Sequence, residues 1–155
     1  MEYPHVKLYG SPHERATIEK GAIVGEGTGI GERSYIGMNA RIGKNCRIMQ
    51  HVTVCKDAVI EDGVFIGPNT TLLNDDYPPT MVSQPPIISR GAVIGGGVTI
   101  GPGVIIGENA VVGHGANISK DVPPEVVVVT KSDMRILMNR REYNRRQRFL
   151  VEKLT

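Results

Sequence analysis

The stretch IGMNARIGKNCRIM (36–49) carries isoleucine at every sixth position: Ile36, Ile42 and Ile48. A helix repeats every 3.6 residues and a half-buried strand every two, so a period of six marks the face of neither. Followed outward, the series runs Ile18, Val24, Ile30, Ile36, Ile42, Ile48, Val54, Ile60, Ile66 and Leu72. Two residues before each stands a small or β-branched residue, from Ala16, Ala22, Thr28 and Ser34 to Cys46 and Thr70. Glycine often follows, as at Gly25, Gly31, Gly37, Gly43 and Gly67. A second series runs Ile88, Ile94, Ile100, Ile106, Val112 and Ile118.

Such a chain must turn a corner every six residues. The pattern predicts an all-β fold, a parallel β-solenoid of short flat strands with the large aliphatic pointing inward. Gly, Asn and Asp near the corners tolerate the backbone angles of sharp turns. Three hexapeptides close a triangular coil of eighteen residues, each coil rising ~4.8 Å above the last. The two series together predict about five coils.

Leu72 and Ile88 are sixteen residues apart, so the register breaks in LNDDYPPTMVSQPP, where two proline pairs stop strand pairing. A loop of residues 74–86 is expected to leave the prism there, and loops held on rigid scaffolds are where sites are built. After Ile118 the pattern gives way to SKDVPPEVVVVTKSD and then to SDMRILMNRREYNRRQRFLVEKL. The latter reads as a helix over 132–155, with Ser132 or Asp133 as N-cap and a partial apolar stripe of Met134, Leu137 and Met138, then Ile136, Tyr143 and Leu150. Its simplest role is to cover the open end of the solenoid over 1–131.

Composition fits this picture. Aromatics are 5% of the chain, Trp is absent and Gly numbers 19, so small aliphatic layers must close the interior. Net charge is +2, which demands neither nucleic acid nor membrane as partner. The charge is uneven: residues 131–155 hold eight basic and three acidic residues, hence +5, leaving −3 for residues 1–130. Cys46 and Cys55 have neither metal-like spacing nor a disulfide framework. The start, MEYPHVKLYG, has no charged-then-apolar signal pattern, and no apolar run approaches a membrane span, so a soluble, cytoplasmic setting is expected.

The repeat, aliphatic-Gly-x-x-small-x, resembles the hexapeptide signature of the left-handed β-helix acyltransferases over roughly residues 12–130. Handedness follows from that resemblance alone, since crossovers in ordinary sheets favour the right hand. The resemblance implies a homotrimer with acyl-CoA in the groove between adjacent prisms. GVFIGPNTTLLNDDYPP (63–79) is similar to the segment that nucleotide-linked amino-sugar N-acetyltransferases carry before their protruding loop. VIIGENAVVGHGANISKDVPPEVVVV (104–129) resembles the family's closing coils. The Gly-Asn-Pro-Ala-Arg that usually follows is replaced by TKSDMR (130–135), which alters the pocket floor near the CoA tail.

The resemblance puts Asn74 and Asp75 at the acceptor amine, where an amide oxygen and a carboxylate hold the nitrogen in line with a thioester carbon. Read without it, the pair simply makes a turn before Tyr77-Pro78. His51 lies at an outward corner, with Asn69 at the equivalent corner one coil up and Gln50 beside it as a second polar contact. Asn69, Gln50 and Tyr77 are candidate substrate contacts. His51 and Asn74 of one chain sit on different corners, about 16 Å apart at strand rise, so a neighbouring subunit would have to bring them together. Histidine is the usual general base, but the amino-sugar branch can do without one because a neutral amine is already nucleophilic.

For acetyl-CoA, the candidates are Gly95, Gly113 and Ala116 along the pantetheine arm, with Lys120, Lys131 and Arg135 attracting phosphates. Corner geometry explains the glycines equally well, and an ordinary solvated chain end explains the cations. His114 reads as a solvated turn residue. Three converging histidines would be needed for the zinc site that carbonic anhydrases of this fold hold, and the spacing does not supply them. The run RREYNRRQR has one aromatic and no known nucleic-acid motif. The expected activity is acetyl transfer from acetyl-CoA to the amine of a nucleotide-linked sugar. Two rivals are O-acetylation with His51 as base, and a non-catalytic scaffold or ligand-binding subunit.

Overall fold

The computed structural model describes residues 7–8, 11–80, 82–130 and 134–154. Eighteen two-residue strands form three walls of parallel strands. The first wall stacks Lys7–Leu8, Ile23–Val24, Arg41–Ile42, Val59–Ile60, Ile87–Ile88 and Ile105–Ile106. The second stacks Ser11–Pro12, Gly29–Ile30, Arg47–Ile48, Phe65–Ile66, Val93–Ile94 and Val111–Val112. The third stacks Thr17–Ile18, Tyr35–Ile36, Thr53–Val54, Thr71–Leu72, Thr99–Ile100 and Asn117–Ile118. This is a β-solenoid of six coils, one more than the aliphatic period predicts. The extra coil is the first. Leu8 pairs with Val24 sixteen residues on, out of phase, and Pro12 holds the place opposite Ile30 that an aliphatic would mark.

The six-residue period is the inward face. Every aliphatic from Ile18 to Leu72 and from Ile88 to Ile118 in the two series is buried, most of them completely. The smaller partner two residues earlier is buried too, its slot near the corner taking residues from Ala and Ser up to Val. Where that partner carries a hydroxyl, it bridges coils. Ser34 Oγ donates to Met49 O at 2.8 Å and accepts from Val52 N–H at 3.1 Å. Thr28 does the same for Gly43 O and Cys46 N–H, and Thr70 for Gly95 O and Val98 N–H. The glycine after the aliphatic has a steric reason. A Cβ on Gly25 would lie 2.5 Å from Gly43 C in the next coil.

After Ile118 the chain makes most of a further coil: Val122 bridges Ile106 in the first wall, and Val126–Thr130 continues the second wall beside Val111–Val112. Val122 and Val128 are buried and close the top of the core. The expected helix over 132–155 is corrected here. Met134–Asn139 is a strand, paired antiparallel with Val126–Thr130, and the helix runs only from Arg140 to Leu154. The exposed edge of the VVVVT strand offers unpaired N–H and C=O groups that MRILMN can satisfy, whereas a helix would leave them open. The helix is capped by Asn139, whose Oδ1 accepts from Glu142 N–H at 2.9 Å. Ser132 and Asp133 lie outside the described residues. Nor does the helix close the core, which the extra partial coil does. Arg140 joins it to the body, donating to Asn109 O at 3.1 Å.

Replacing Ser34 by Ala strands the buried Val52 N–H and Met49 C=O. We expect a loss of about 2 kcal/mol in equilibrium unfolding; an unchanged denaturation midpoint would show that the hydroxyl bridges contribute nothing.

Candidate functional site

Three corners join the walls. The second, between the second and third walls, stacks the tips Glu32–Arg33, Gln50–His51, Pro68–Asn69, Gly96–Gly97 and His114–Gly115 in ascending order. The tips are tied by His51 N–H to Glu32 O at 3.0 Å, Asn69 N–H to Gln50 O at 3.1 Å and Gly97 N–H to Pro68 O at 2.8 Å. His51 and Asn69 both take left-handed backbone, with φ of 57° and 59°. That conformation suits Asn and is open to His, and it throws both side chains outward. Gln50, His51, Asn69 and His114 are all exposed. The upper tips are largely glycine, so the corner is side-chain-rich below and bare backbone above.

The loop leaves the third corner, between the third and first walls. Its return is stapled: Gln84 N–H donates to Asn74 O at 2.7 Å, and Gln84 O accepts from Gly103 N–H at 2.7 Å in the coil above. Gln84 thus replaces an ordinary turn. Pro86, buried, fills the small inward slot two residues before Ile88. Asn74 is half-buried and its Nδ2 donates to Ser83 Oγ at 3.3 Å, while its Oδ1 has no hydrogen-bond partner among the described residues. Asp75 is occupied differently from the expectation of a contact to the amine. One carboxylate oxygen accepts from Tyr77 N–H (3.0 Å) and Thr80 Oγ1 (2.7 Å), the other from Thr80 N–H (2.9 Å). It closes the loop. Around this closure lies a hollow of about 200 Å³ lined by Asp75, Asp76, Tyr77, Thr80, Val82 and Gln84. Tyr77 stands 79% exposed at the tip.

Gln50, His51 and Asn69 are therefore brought together, and so are Asn74, Asp75 and Tyr77. The two sets occupy different corners of one prism. Of the expected pantetheine contacts, Ala116 needs correction. Ala116 points into the core, 1% exposed, because it holds the small inward slot two residues before Ile118. Gly95 N–H is bonded to Val112 O and Gly113 N–H to Val128 O, so neither is left as a donor. A Cβ on Gly95 would lie 2.5 Å from His114 N, which accounts for that glycine by stacking. Lys120 is exposed near the top of the third corner. Arg135 sits opposite Val129 in the hairpin, its side chain outside what is described, and Lys131 lies outside the described residues.

Thr80, Ser83 and Gln84 hold the loop in shape and were not singled out from sequence. The Asp75-to-Tyr77 bond is an Asx-turn, legible in principle from Asp placed two residues before the loop aromatic. Neither cysteine offers a nucleophile: burial pushes the Cys55 thiol up to about 12 and raises Cys46 as well. Among the described residues no group of three His, Cys, Asp or Glu is placed to hold a metal ion, and no helix is long and apolar enough to cross a membrane.

The family model of the bacterial transferase hexapeptide (six repeats) matches residues 39–74 and 85–120, the segments on either side of the loop. Comparison with curated proteins finds no match. Among solved structures, a mutant of perosamine N-acetyltransferase from Caulobacter crescentus, in complex with CoA and GDP-perosamine, is similar with a TM-score of 0.73 at 22% identity. That similarity covers 86% of this chain but only 58% of the other, so this chain spans little more than half the relative's length. A mutant of AntD, an N-acyltransferase from Bacillus cereus in complex with dTDP and coenzyme A, gives a TM-score of 0.74 at 19% identity, covering 95% of this chain and 90% of that one. A hexapeptide-repeat acetyltransferase from Vibrio cholerae complexed with acetyl coenzyme A gives 0.57 at 29%, covering 73% and 70%. At 19% and 22% identity the first two share the fold with this chain.

Asp75→Ala should free the loop without unfolding the solenoid. Amide exchange at Tyr77 and Thr80 should rise at least about tenfold, the loss of a hydrogen bond to a charged group, while the coils stay protected. Unchanged exchange at those two amides would remove the closing role given to Asp75.

Proposed function

Because the chain carries the hexapeptide repeats of bacterial transferases, we propose that it is an acetyl-CoA-dependent N-acetyltransferase acting on a nucleotide-linked amino sugar. The observation that carries this reading is the loop at the third corner, which presents a half-buried Asn74 whose amide oxygen has no hydrogen-bond partner among the described residues. With no activated thiol on the protein, the acetyl group passes directly from donor to acceptor. Acetyl-CoA supplies the thioester. The neutral sugar amine attacks the thioester carbonyl, the carbon–sulfur bond breaks, and the thiolate that departs takes up the proton released by the new amide.

In this reading Asn74 Oδ1 accepts an N–H of the amine and so aims its lone pair, while Asp75 keeps Asn74 in place by closing the loop. Alignment of this kind supplies much of the rate when the nucleophile is already reactive. Gln50, His51 and Asn69 contact the sugar from the second corner of a neighbouring copy in a homotrimer, because one prism holds the two sets apart. Tyr77, exposed at the loop tip, reaches the same cleft. Lys120, with Lys131 and Arg135, attracts the CoA phosphates. Relatives of similar fold captured with CoA, acetyl-CoA, GDP-perosamine and dTDP support both co-substrate classes.

O-acetylation remains the rival reading, since His51 is exposed and available as a base. Thiol release from acetyl-CoA with a panel of UDP-, dTDP- and GDP-linked amino sugars decides between them. We expect release with an amine acceptor, a drop in kcat of about a hundredfold in Asn74→Ala, and a loss under about tenfold in His51→Ala. A loss of several orders in His51→Ala with a hydroxyl acceptor would establish the rival.

A further inference from the structure

Glycines in this solenoid have visible reasons. Some take left-handed φ at corners, and others face the backbone of the next coil. Gly29 has neither. It occupies the outward position of a strand in the second wall, its φ is not left-handed, and a Cβ there would meet nothing within 4 Å. Glycine weakens a strand, and in a strand it often marks a bulge, a tight bend or a site where a ligand or another backbone approaches closely. Its two neighbours in the wall, Ser11 one coil below and Arg47 one coil above, do carry side chains. The missing side chain between them opens a hollow of about 320 Å³, lined by Ser11, His13, Gly29, Gly31, Arg47 and Met49, with strand backbone as its floor.

We infer that this hollow is the subsite for the nucleoside diphosphate of the acceptor, an assignment that rests on the nucleotide-sugar reading above. The chemistry of the rim suits that ligand. Arg47 is exposed and has no salt-bridge partner among the described residues. Its planar guanidinium can grip two phosphate oxygens at once. Glu32, on the adjoining corner, does not compete for it, being paired with Arg15 at 2.8 Å and with Arg33 at 3.7 Å. His13 Nδ1 accepts from Arg15 N–H at 3.2 Å, so in the neutral ring Nε2 bears the proton and is a donor. Ser11 adds a hydroxyl, and the Met49 thioether is a soft surface for a planar base.

Position supports the assignment as well. From Arg47–Ile48 the chain passes Met49 and turns at Gln50–His51, so His51 lies at most about 13 Å from the arginine at strand rise. Phosphates held at Arg47 would therefore direct the attached sugar along this strand to the second corner. There the amine meets the Asn74 loop of the neighbouring copy. One copy anchors the nucleotide and the next orients the amine.

Two full-length variants test this. Gly29→Val fills the hollow in open space, and Arg47→Gln removes the cation. Calorimetry with UDP and with dTDP should show Arg47→Gln binding the nucleotide that the wild type prefers about tenfold to a hundredfold more weakly, the cost of one hydrogen bond to a charged group, and Gly29→Val binding it more weakly by occupying its space. Acetyl-CoA affinity should not change, and the thermal midpoint of Gly29→Val should not fall. Wild-type nucleotide affinity in both variants, alongside intact acetylation of a nucleotide sugar, overturns the hollow and leaves the enzyme reading standing. A smaller solution mass for Gly29→Val also overturns it, by giving the hollow to a neighbouring copy. A wild-type protein that binds neither nucleotide and acetylates only free amines overturns the reading beneath it.

Discussion

Each of the eighteen strands of the regular coils is two residues long and none can stand alone; each takes its hydrogen-bond partners from neighbouring coils. Tyr35 N–H reaches Val52 O at 2.8 Å and Gly37 N–H reaches Val54 O at 2.8 Å, and that pattern is carried up all three walls. Parallel pairing at eighteen-residue spacing therefore dictates the sequence. It demands an aliphatic at every sixth position, a small residue two before it, and little bulk where the next coil's backbone presses close, as at Gly25. An error of one residue would turn the inward layer to solvent, so the register is strongly held.

The same constraint decides where chemistry can be placed. Inside, hydrocarbon and bridging hydroxyls leave no room. On the walls, one outward residue per strand is available, and at the corners two. The chain leaves this lattice once between its regular coils, at the third corner, and it does so without breaking the stack because Gln84 supplies the hydrogen bonds of the missing turn and Pro86 the missing inward group. A rigid prism thus holds a shaped loop on one corner and a polar stack on another. That separation is why the proposed reaction requires two copies.

The inward layer was legible from sequence because it uses a narrow set of residues in strict phase. The first coil was not, since Leu8 is out of phase and Pro12 is no aliphatic. Met134–Asn139 satisfied a helical spacing as readily as a strand's alternation, and only the open edge of Val126–Thr130 decided between them. Ala116 was readable after all: its place two residues before Ile118 assigns it to the core, which overrides any role in a groove. Asp75 was singled out from sequence, but its bonds within the loop were not legible, because its partners at Tyr77 and Thr80 become visible only once the loop has closed. Gly29 was not singled out from sequence, because only the backbone places it in a strand facing open space.

A crystal structure with CoA and a nucleotide-linked amino sugar bound tests the central claim most directly. The account predicts the sugar nitrogen within hydrogen-bonding distance of Asn74 Oδ1 from one copy, with Gln50 and His51 of its neighbour lining the same cleft. An acceptor bound wholly within one prism, or a sulfur and amine meeting away from the loop, would contradict it.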